Sequence, residues 1–367
     1  MPVFQLPADP ADLAGLLPPD DALRVTLHDE VHARPSALVT LPALITYVAV
    51  LNQGVSREQE LEHLRQLPGQ AALGADQMNG NFLRLSLPGH TVKWERHTEF
   101  TRYSMIQPMP AAAMLGALKP ALLGAPAVSA DWLRGIPGHT VVAIALAMVH
   151  GDLANSAELL QKAQTWFGER TVLASQLGNG HSWALTDFRL AADGFEKMLV
   201  IAPPGTTATR AGRISQRLLE LETYRLMALR GLPVAKALGP MLNSAENSLA
   251  DITAQLENKA GSDQELLDKL VALATRVERA IAEHSYRFSA TRAYATLVSQ
   301  RIAELREKAV PGTQTLGEFM QRRLSPAIAT VAASSERLAS LSERVSPAPP
   351  VCRAVPGRSR LCFRAEP

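Results

Sequence analysis

The second half of the chain carries a repeat of mostly apolar residues that only a long helix brings onto one face. No glycine or proline interrupts the sequence between Ser262 and Pro311. The repeat advances by three and four residues in turn, which is the spacing of a coiled-coil seam. Its members are Leu267, Leu270, Ala274, Val277, Ile281, His284, Phe288, Thr291, Ala295, Val298, Ile302 and Leu305. Ser262 and Glu265 form a capping-box pattern, so we predict one helix of about 70 Å that ends before Pro311.

Similar spacing occurs before and after this helix. It includes Leu238, Leu242, Ala245, Leu249, Ile252 and Leu256, then Leu324, Val331, Leu338, Leu341 and Val345. Thr315 and Glu318 form a second capping pattern, and Pro326 is predicted to kink the last helix. Narrow apolar stripes need partner helices, so residues 206–345 are predicted to form a long-helix, coiled-coil-like stalk that makes homo-oligomers. A monomeric helical bundle is the alternative.

Residues 1–205 alternate short apolar runs with turn signals, which predicts a head domain that ends at Pro203-Pro204. Pro88-Gly89-His90 predicts an antiparallel hairpin. Further candidate strands are residues 38–51, 141–149, 170–176, 181–190 and 196–201, and candidate helices lie near residues 57–67, 111–123 and 156–167. The predicted fold class is therefore α+β, an N-terminal antiparallel or mixed sheet with helices followed by the stalk.

Composition limits the compartment and the partners. Both cysteines, Cys352 and Cys362, lie in the proline- and arginine-rich tail at residues 346–367. The rest of the chain has no cysteine, and the N-terminus lacks the apolar run of a signal peptide, so we predict a cytoplasmic protein. The formal net charge of +2 predicts no nucleic-acid partner.

His28 and His32 are four residues apart and would share one helix face, as zinc-binding histidine pairs do. The position after the first histidine is Asp29, whereas the zinc hydrolase signature has glutamate there. Two hypotheses stay open for these residues: a structural cluster of charges, or a divalent metal site held by His28 and His32.

Residues 94–100, taken as one strand, place Glu95, His97 and Glu99 on the same face. That face is predicted to be in water, because antiparallel sheets commonly leave one side solvated. A cation site or an acid-base pair on this face is the alternative.

Arginines suggest two further groups. One is Arg34, Arg96 and Arg102, which would bind an anion if they converge. The other is Arg210, Arg213, Arg217 and Arg225, predicted to form a solvated helix face because Glu220 and Glu222 lie among them. The candidate polar cluster of the head is His28, Asp29, Glu30, His32, Arg34, His97, Glu99 and Arg102. No phosphate-binding glycine loop, nucleophile elbow or cysteine metal motif occurs in the chain, so an enzyme is the less favoured hypothesis.

Four blocks of sequence together resemble an uncharacterised bacterial family of predicted membrane-anchored proteins, domain of unknown function 3422. The blocks are residues 27–35 (LHDEVHARP), 97–103 (HTEFTRY), 287–294 (RFSATRAY) and 318–324 (EFMQRRL). The resemblance extends over residues 20–345, and membership implies no biochemical activity.

The resemblance implies a protein associated with the inner membrane and facing the cytoplasm, with an apolar anchor after the last helix. Here the tail at residues 346–367 stands where the family has that anchor, so the expectation is a changed reading frame or a disordered tail. The plan of head, long helices and anchor is similar to that of CorA-type magnesium transporters. A metal-dependent enzyme or cation-responsive module that uses the His and Glu residues of the head is therefore the alternative function.

Overall fold

The computed structural model describes residues 18–32, 38–78, 80–110, 126–168, 170–258 and 261–345. They divide into two compact units. The first contains the chain up to Leu226 together with Val298–Phe319, and the second contains Met227–Leu297 and the chain from Met320 onward. Most of the helix Ala208–Leu229, which the sequence-based prediction places in the stalk, therefore belongs to the first unit.

Within the described residues, the first unit contains a nine-stranded sheet of order β2-β3-β4-β1-β5-β8-β7-β6-β9. The strands are β1 Ala43–Leu51, β2 Phe82–Leu87, β3 His90–Arg96, β4 Phe100–Pro108, β5 His139–His150, β6 Leu173–Leu177, β7 Ser182–Leu190, β8 Glu196–Ala202 and β9 Lys308–Ala309. The α-helices found in the described part of the chain are α1 Arg24–His32, α2 Arg57–Arg65, α3 Ala130–Arg134, α4 Ser156–Gln164, α5 Ala208–Leu229, α6 Gly231–Glu257, α7 Asp263–Leu305, α8 Leu316–Arg323 and α9 Ser325–Val345.

The mixed sheet confirms the predicted fold class. β2 and β3 pair antiparallel across the Pro88-Gly89 turn, where Gly89 has a φ of 78° that glycine adopts without steric cost. β6, β7 and β8 form the predicted antiparallel meander. β5 and β8 pair parallel, which makes the sheet mixed. The helix predicted near residues 111–123 lies outside the described residues.

One face of the sheet is covered by α2, α3 and α4. The first two helices pack on β1–β4 around Leu64, Trp94 and Trp132. α4 packs on the other half of the sheet around Leu159 and Trp183. Both sheet tryptophans are fully buried, and each removes a large apolar area from water, so both cores contribute hydrophobic stabilisation to the unit.

The opposite face of the sheet is covered by α5. Tyr47 of β1 hydrogen-bonds Thr223 of α5, with 2.7 Å between the hydroxyl oxygens. Charged side chains of the strands also point to this side and are buried there, among them Lys93, Glu95 and Arg102. Buried charges need partners, and the position of α5 supplies several of them.

In the second unit, α6, α7 and α9 share one apolar core. The helices α6 and α7 run antiparallel, since Lys269 Nζ lies 3.2 Å from Gln255 Oε1 and Arg276 Nη2 lies 3.5 Å from Ser244 Oγ. Buried seam residues include Leu238, Leu242, Leu249, Val277, Phe288, Val331, Leu338 and Val345. The seam spacing therefore predicted the buried faces of three helices, and α7 is one helix of 43 residues.

α7 ends at Leu305, before Pro311 as predicted, and the next residue, Arg306, adopts a left-handed φ of 47°. Two other details of the helices differ from the predictions. Pro326 lies in the first turn of α9, where its missing N–H leaves no hydrogen bond unmade, so it begins a helix and does not kink one. At the start of the seam, Leu267 is 52% exposed and its neighbour Leu266 is buried.

Candidate functional site

The histidine pair lies on α1, whose residues Arg24–His32 are helical. The side chain of His28 is exposed. The side chains of Asp29, Glu30 and His32, and the whole of Arg34, lie outside the described residues. Among the residues that are described, no group of three or more His, Cys, Asp or Glu side chains could hold a metal ion. Because the His32 side chain is not among them, the metal site held by His28 and His32 stays a prediction.

The strand predicted over residues 94–100 is interrupted. β3 ends at Arg96 and β4 begins at Phe100, so His97 and Glu99 lie in the turn between them. Glu95 stays in β3 and is 1% exposed. The prediction of a solvated face was therefore wrong for Glu95, because α5 covers that side of the sheet and two cations neutralise the carboxylate.

Arg102 is the centre of this buried ionic group. It lies opposite Glu95 across β3 and β4, with Nε 2.7 Å from Glu95 Oε2 and Nη1 3.2 Å from Glu220 Oε1 on α5. Lys93 Nζ lies 3.1 Å from Glu95 Oε2. Burial opposes ionisation of Glu95 and Glu220, yet the Arg102 guanidinium holds the pKa of each below its ordinary value. The cavity beside them, about 20 Å³, has room for about one water molecule.

The ionic group continues to the end of α7 within the first unit. Arg301 Nε lies 2.6 Å from Glu220 Oε2, and Arg301 Nη1 lies 2.8 Å from Glu304 Oε1. Glu304 Oε2 in turn lies 3.1 Å from Arg217 Nε. A chain of alternating charges thus leads from the buried sheet face to a partly exposed carboxylate.

A second buried acid lies further along the same face. Glu196 of β8 has its Oε1 3.8 Å from Arg225 Nη2, while Arg225 pairs more closely with Glu222. Burial, and next the neighbouring Glu222 carboxylate, raise the pKa of Glu196 to about 9. Glu220 and Glu222 are both buried, so the prediction that they share a solvated face of α5 was wrong.

The guanidinium group of Arg96 also binds groups of the protein itself. Its Nη1 lies 2.7 Å from Glu60 Oε2, and its Nη2 donates to the Val55 carbonyl at 2.8 Å. Since Arg102 binds Glu95 and Glu220, both described members of the suspected anion group bind groups within the chain.

The first unit contains an open cavity of about 530 Å³, which we call the arginine cleft. Three segments form its wall: the β6–β7 turn, the first half of α5, and the end of α7. Its lining residues are Leu177, Gly178, Asn179, His181, Ser182, Thr207, Arg210, Arg213, Ile214, Arg217, Glu304, Leu305 and Arg306.

Backbone hydrogen bonds hold the turn against the end of the helix. The last carbonyls of a helix lack partners within it. Here Gly178 N–H donates to the Leu305 carbonyl at 2.8 Å, and Asn179 N–H donates to the Arg306 carbonyl at 3.2 Å. The turn is able to curve in this way because Gly178, Asn179 and Gly180 all have positive φ, which glycine and asparagine tolerate best.

The cleft carries an excess of positive charge. Arg210, Arg213 and Arg217 are spaced three and four residues apart, so they share one face of α5, and Arg306 adds a fourth guanidinium. Arg217 pairs with Glu304. Among the described residues no carboxylate pairs with Arg210, Arg213 or Arg306. Three guanidinium groups are therefore available to an anion in one concave surface.

His181 also lines the cleft. Its pKa is lowered, first by partial burial and then by the Arg210 guanidinium. The imidazole is therefore neutral at physiological pH and, depending on its tautomer, can donate or accept a hydrogen bond in the cleft.

The sequence predicts one helix face for three of the cleft arginines, but it does not indicate the other walls of the cleft. The spacing of Arg210, Arg213 and Arg217 does not distinguish a solvated surface from the wall of a cleft. His181 and Arg306 gave no signal, because one follows a turn and the other ends a helix far along the chain.

Comparison with known proteins identifies a family. No curated protein and no solved structure matches the chain. Over the described residues, no helix combines the length and apolarity that crossing a bilayer requires. The family model described as "Protein of unknown function (DUF3422)" matches residues 19–354 of the 367. The chain therefore belongs to the DUF3422 family.

Proposed function

We propose that the first unit is a binding module, not an enzyme, that holds a small anionic molecule in the arginine cleft. The observation that carries this proposal is that Arg210, Arg213 and Arg306 line one cavity and that no carboxylate of the described residues pairs with them. Guanidinium groups bind phosphate and carboxylate through paired hydrogen bonds. The volume of about 530 Å³ lies in the range of small-molecule sites.

Titration calorimetry of the wild-type protein with pyrophosphate and with citrate tests this proposal and separates the two ligand chemistries. We expect binding of at least one of them. In the double variant Arg210→Ala/Arg213→Ala the affinity is expected to fall by about tenfold or more, because each charge-assisted hydrogen bond is worth about 1.5 to 3 kcal/mol.

The matched control is Arg322→Ala/Arg323→Ala, which removes two exposed arginines in the second unit. It should bind as the wild type does. Equal losses in both double variants would show that overall charge, and not the cleft, attracts the anion. Absence of binding to the wild type would refute the proposal.

Self-association through the second unit is a separate proposal. It is supported by the exposed apolar side chains Leu256, Leu267 and Val271 near the α6–α7 connection, which lie outside the three-helix core. Sedimentation velocity at micromolar concentration should show an oligomer, and Leu267→Ser/Val271→Ser should shift it toward the monomer. A wild-type protein that sediments only as a monomer contradicts this proposal.

We also propose that family members are associated with the inner membrane, with the first unit in the cytoplasm. The support is the resemblance to predicted membrane-anchored proteins. A segment of about 20 apolar residues is needed to cross a bilayer, so the other two reading frames downstream of the Val345 codon provide the test. A frame that encodes such a segment supports a membrane anchor, and two frames without one contradict it.

A further inference from the structure

We infer that Glu304 is a built-in competitor of the ligand, which an anion must displace from Arg217 to occupy the whole cleft. This inference rests on the proposed anion binding. Arg210, Arg213 and Arg306 are open to a ligand, but Arg217 in the same wall already binds a carboxylate of the protein. The Glu304 side chain thus occupies a position that a ligand oxyanion would otherwise take.

Displacement of Glu304 from Arg217 is energetically accessible. The side chains of Arg217 and Glu304 are 35% and 41% exposed, and ion pairs with this much exposure contribute little net free energy. Glu304 also keeps a second partner, since its Oε1 lies 2.8 Å from Arg301 Nη1. The carboxylate would therefore remain paired after it releases Arg217.

The competition determines which anions the cleft prefers. An anion with one negative charge would form an ion pair with Arg217 that is no stronger than the pair that Glu304 already forms. The Glu304 carboxylate would also repel such an anion. An anion with several charges binds Arg210, Arg213 and Arg306 with one group and has charge left to compete for Arg217. The geometry therefore points to a multiply charged ligand, with pyrophosphate as the probe.

Glu304→Gln removes the competing charge and keeps the size of the side chain. We expect this variant to bind pyrophosphate about three- to tenfold more tightly than the wild type, as the loss of one nearby like charge predicts. Glu62→Gln is the matched control, because it removes one exposed carboxylate of the first unit from α2, which covers the face of the sheet opposite to α5. Its affinity should equal that of the wild type, since salt screens distant exposed charges.

A double-mutant cycle with Arg217→Ala separates competition from general electrostatics. When Arg217 is absent there is no pair to displace, so Glu304→Gln should give a smaller gain in that background. If the wild type binds pyrophosphate and Glu304→Gln binds no more tightly, the inference is overturned while the proposed function stands. An equal gain in both backgrounds also overturns it. If neither the wild type nor Glu304→Gln binds, the proposed function fails as well.

Discussion

Replacement of Arg102 by methionine should lower the free energy of unfolding by about 3 to 5 kcal/mol. Methionine keeps much of the length of the arginine side chain but removes the charge. Glu95 and Glu220, both buried, then lose the cation that lies between them. Lys93 still reaches Glu95 and Arg301 still reaches Glu220, but each buried carboxylate loses charge-assisted hydrogen bonds from Arg102.

Urea denaturation at neutral pH measures this effect, and Arg84→Met is the control. Arg84 lies in the edge strand β2, which β3 separates from the strand of Arg102, and its side chain is exposed, so its loss should change stability by no more than about 0.5 kcal/mol. If Arg102→Met is as stable as the control, the ionic group is not the buried, mutually dependent arrangement that the distances indicate.

Glu196→Gln is expected to stabilise the protein by about 1 to 3 kcal/mol near pH 8. The raised pKa of about 9 means that the folded protein keeps a proton on Glu196 that the unfolded chain releases above its ordinary pKa of 4.5. Stability contributed by this group therefore falls as the pH rises from about 4.5 to about 9. Glutamine needs no proton and still donates a hydrogen bond to the Glu222 carboxylate.

Thermal and urea unfolding between pH 5 and pH 9 provide the comparison. The decline of stability with pH should be smaller in Glu196→Gln than in the wild type, by up to about 1.4 kcal/mol per pH unit. Glu62→Gln, which changes an exposed carboxylate, should leave the decline unchanged. If the free energy of unfolding depends on pH in the same way for the wild type and for Glu196→Gln, the pKa of Glu196 is not raised in the folded protein.

Local signals made much of the fold predictable. Pro88-Gly89 marked the first hairpin, and turn residues marked the meander of β6, β7 and β8. The three- and four-residue spacing of leucines marked the buried sides of α6, α7 and α9. Each of these features is specified by residues that are close together in the sequence, so the local sequence is enough to predict it.

Long-range pairing was not predictable in the same way. The parallel contact of β5 with β8 joins strands that two others separate along the chain. Arg102 and Glu220 are 118 residues apart in sequence, and nothing near either residue indicates the other. Glu220 and Glu222 therefore looked solvated, because a charged residue on a helix is exposed unless a distant partner neutralises it.

The arginine cleft likewise combines one wall that the local sequence predicts with others that it does not. One wall, with Arg210, Arg213 and Arg217, follows from helical spacing alone. The other walls come from the β6–β7 turn and from the end of α7, which meet only through hydrogen bonds formed in the folded unit. Whether a row of arginines is a solvated surface or a binding site depends on those walls.

Anomalous diffraction from crystals soaked in tungstate, a dianion of phosphate-like shape, tests anion binding in the cleft most directly. We expect a tungsten peak within hydrogen-bonding distance of the guanidinium groups of Arg210 and Arg213, absent from crystals of Arg210→Ala/Arg213→Ala. A peak only at other surface arginines, with the cleft empty, would contradict the proposal that the cleft binds an anion.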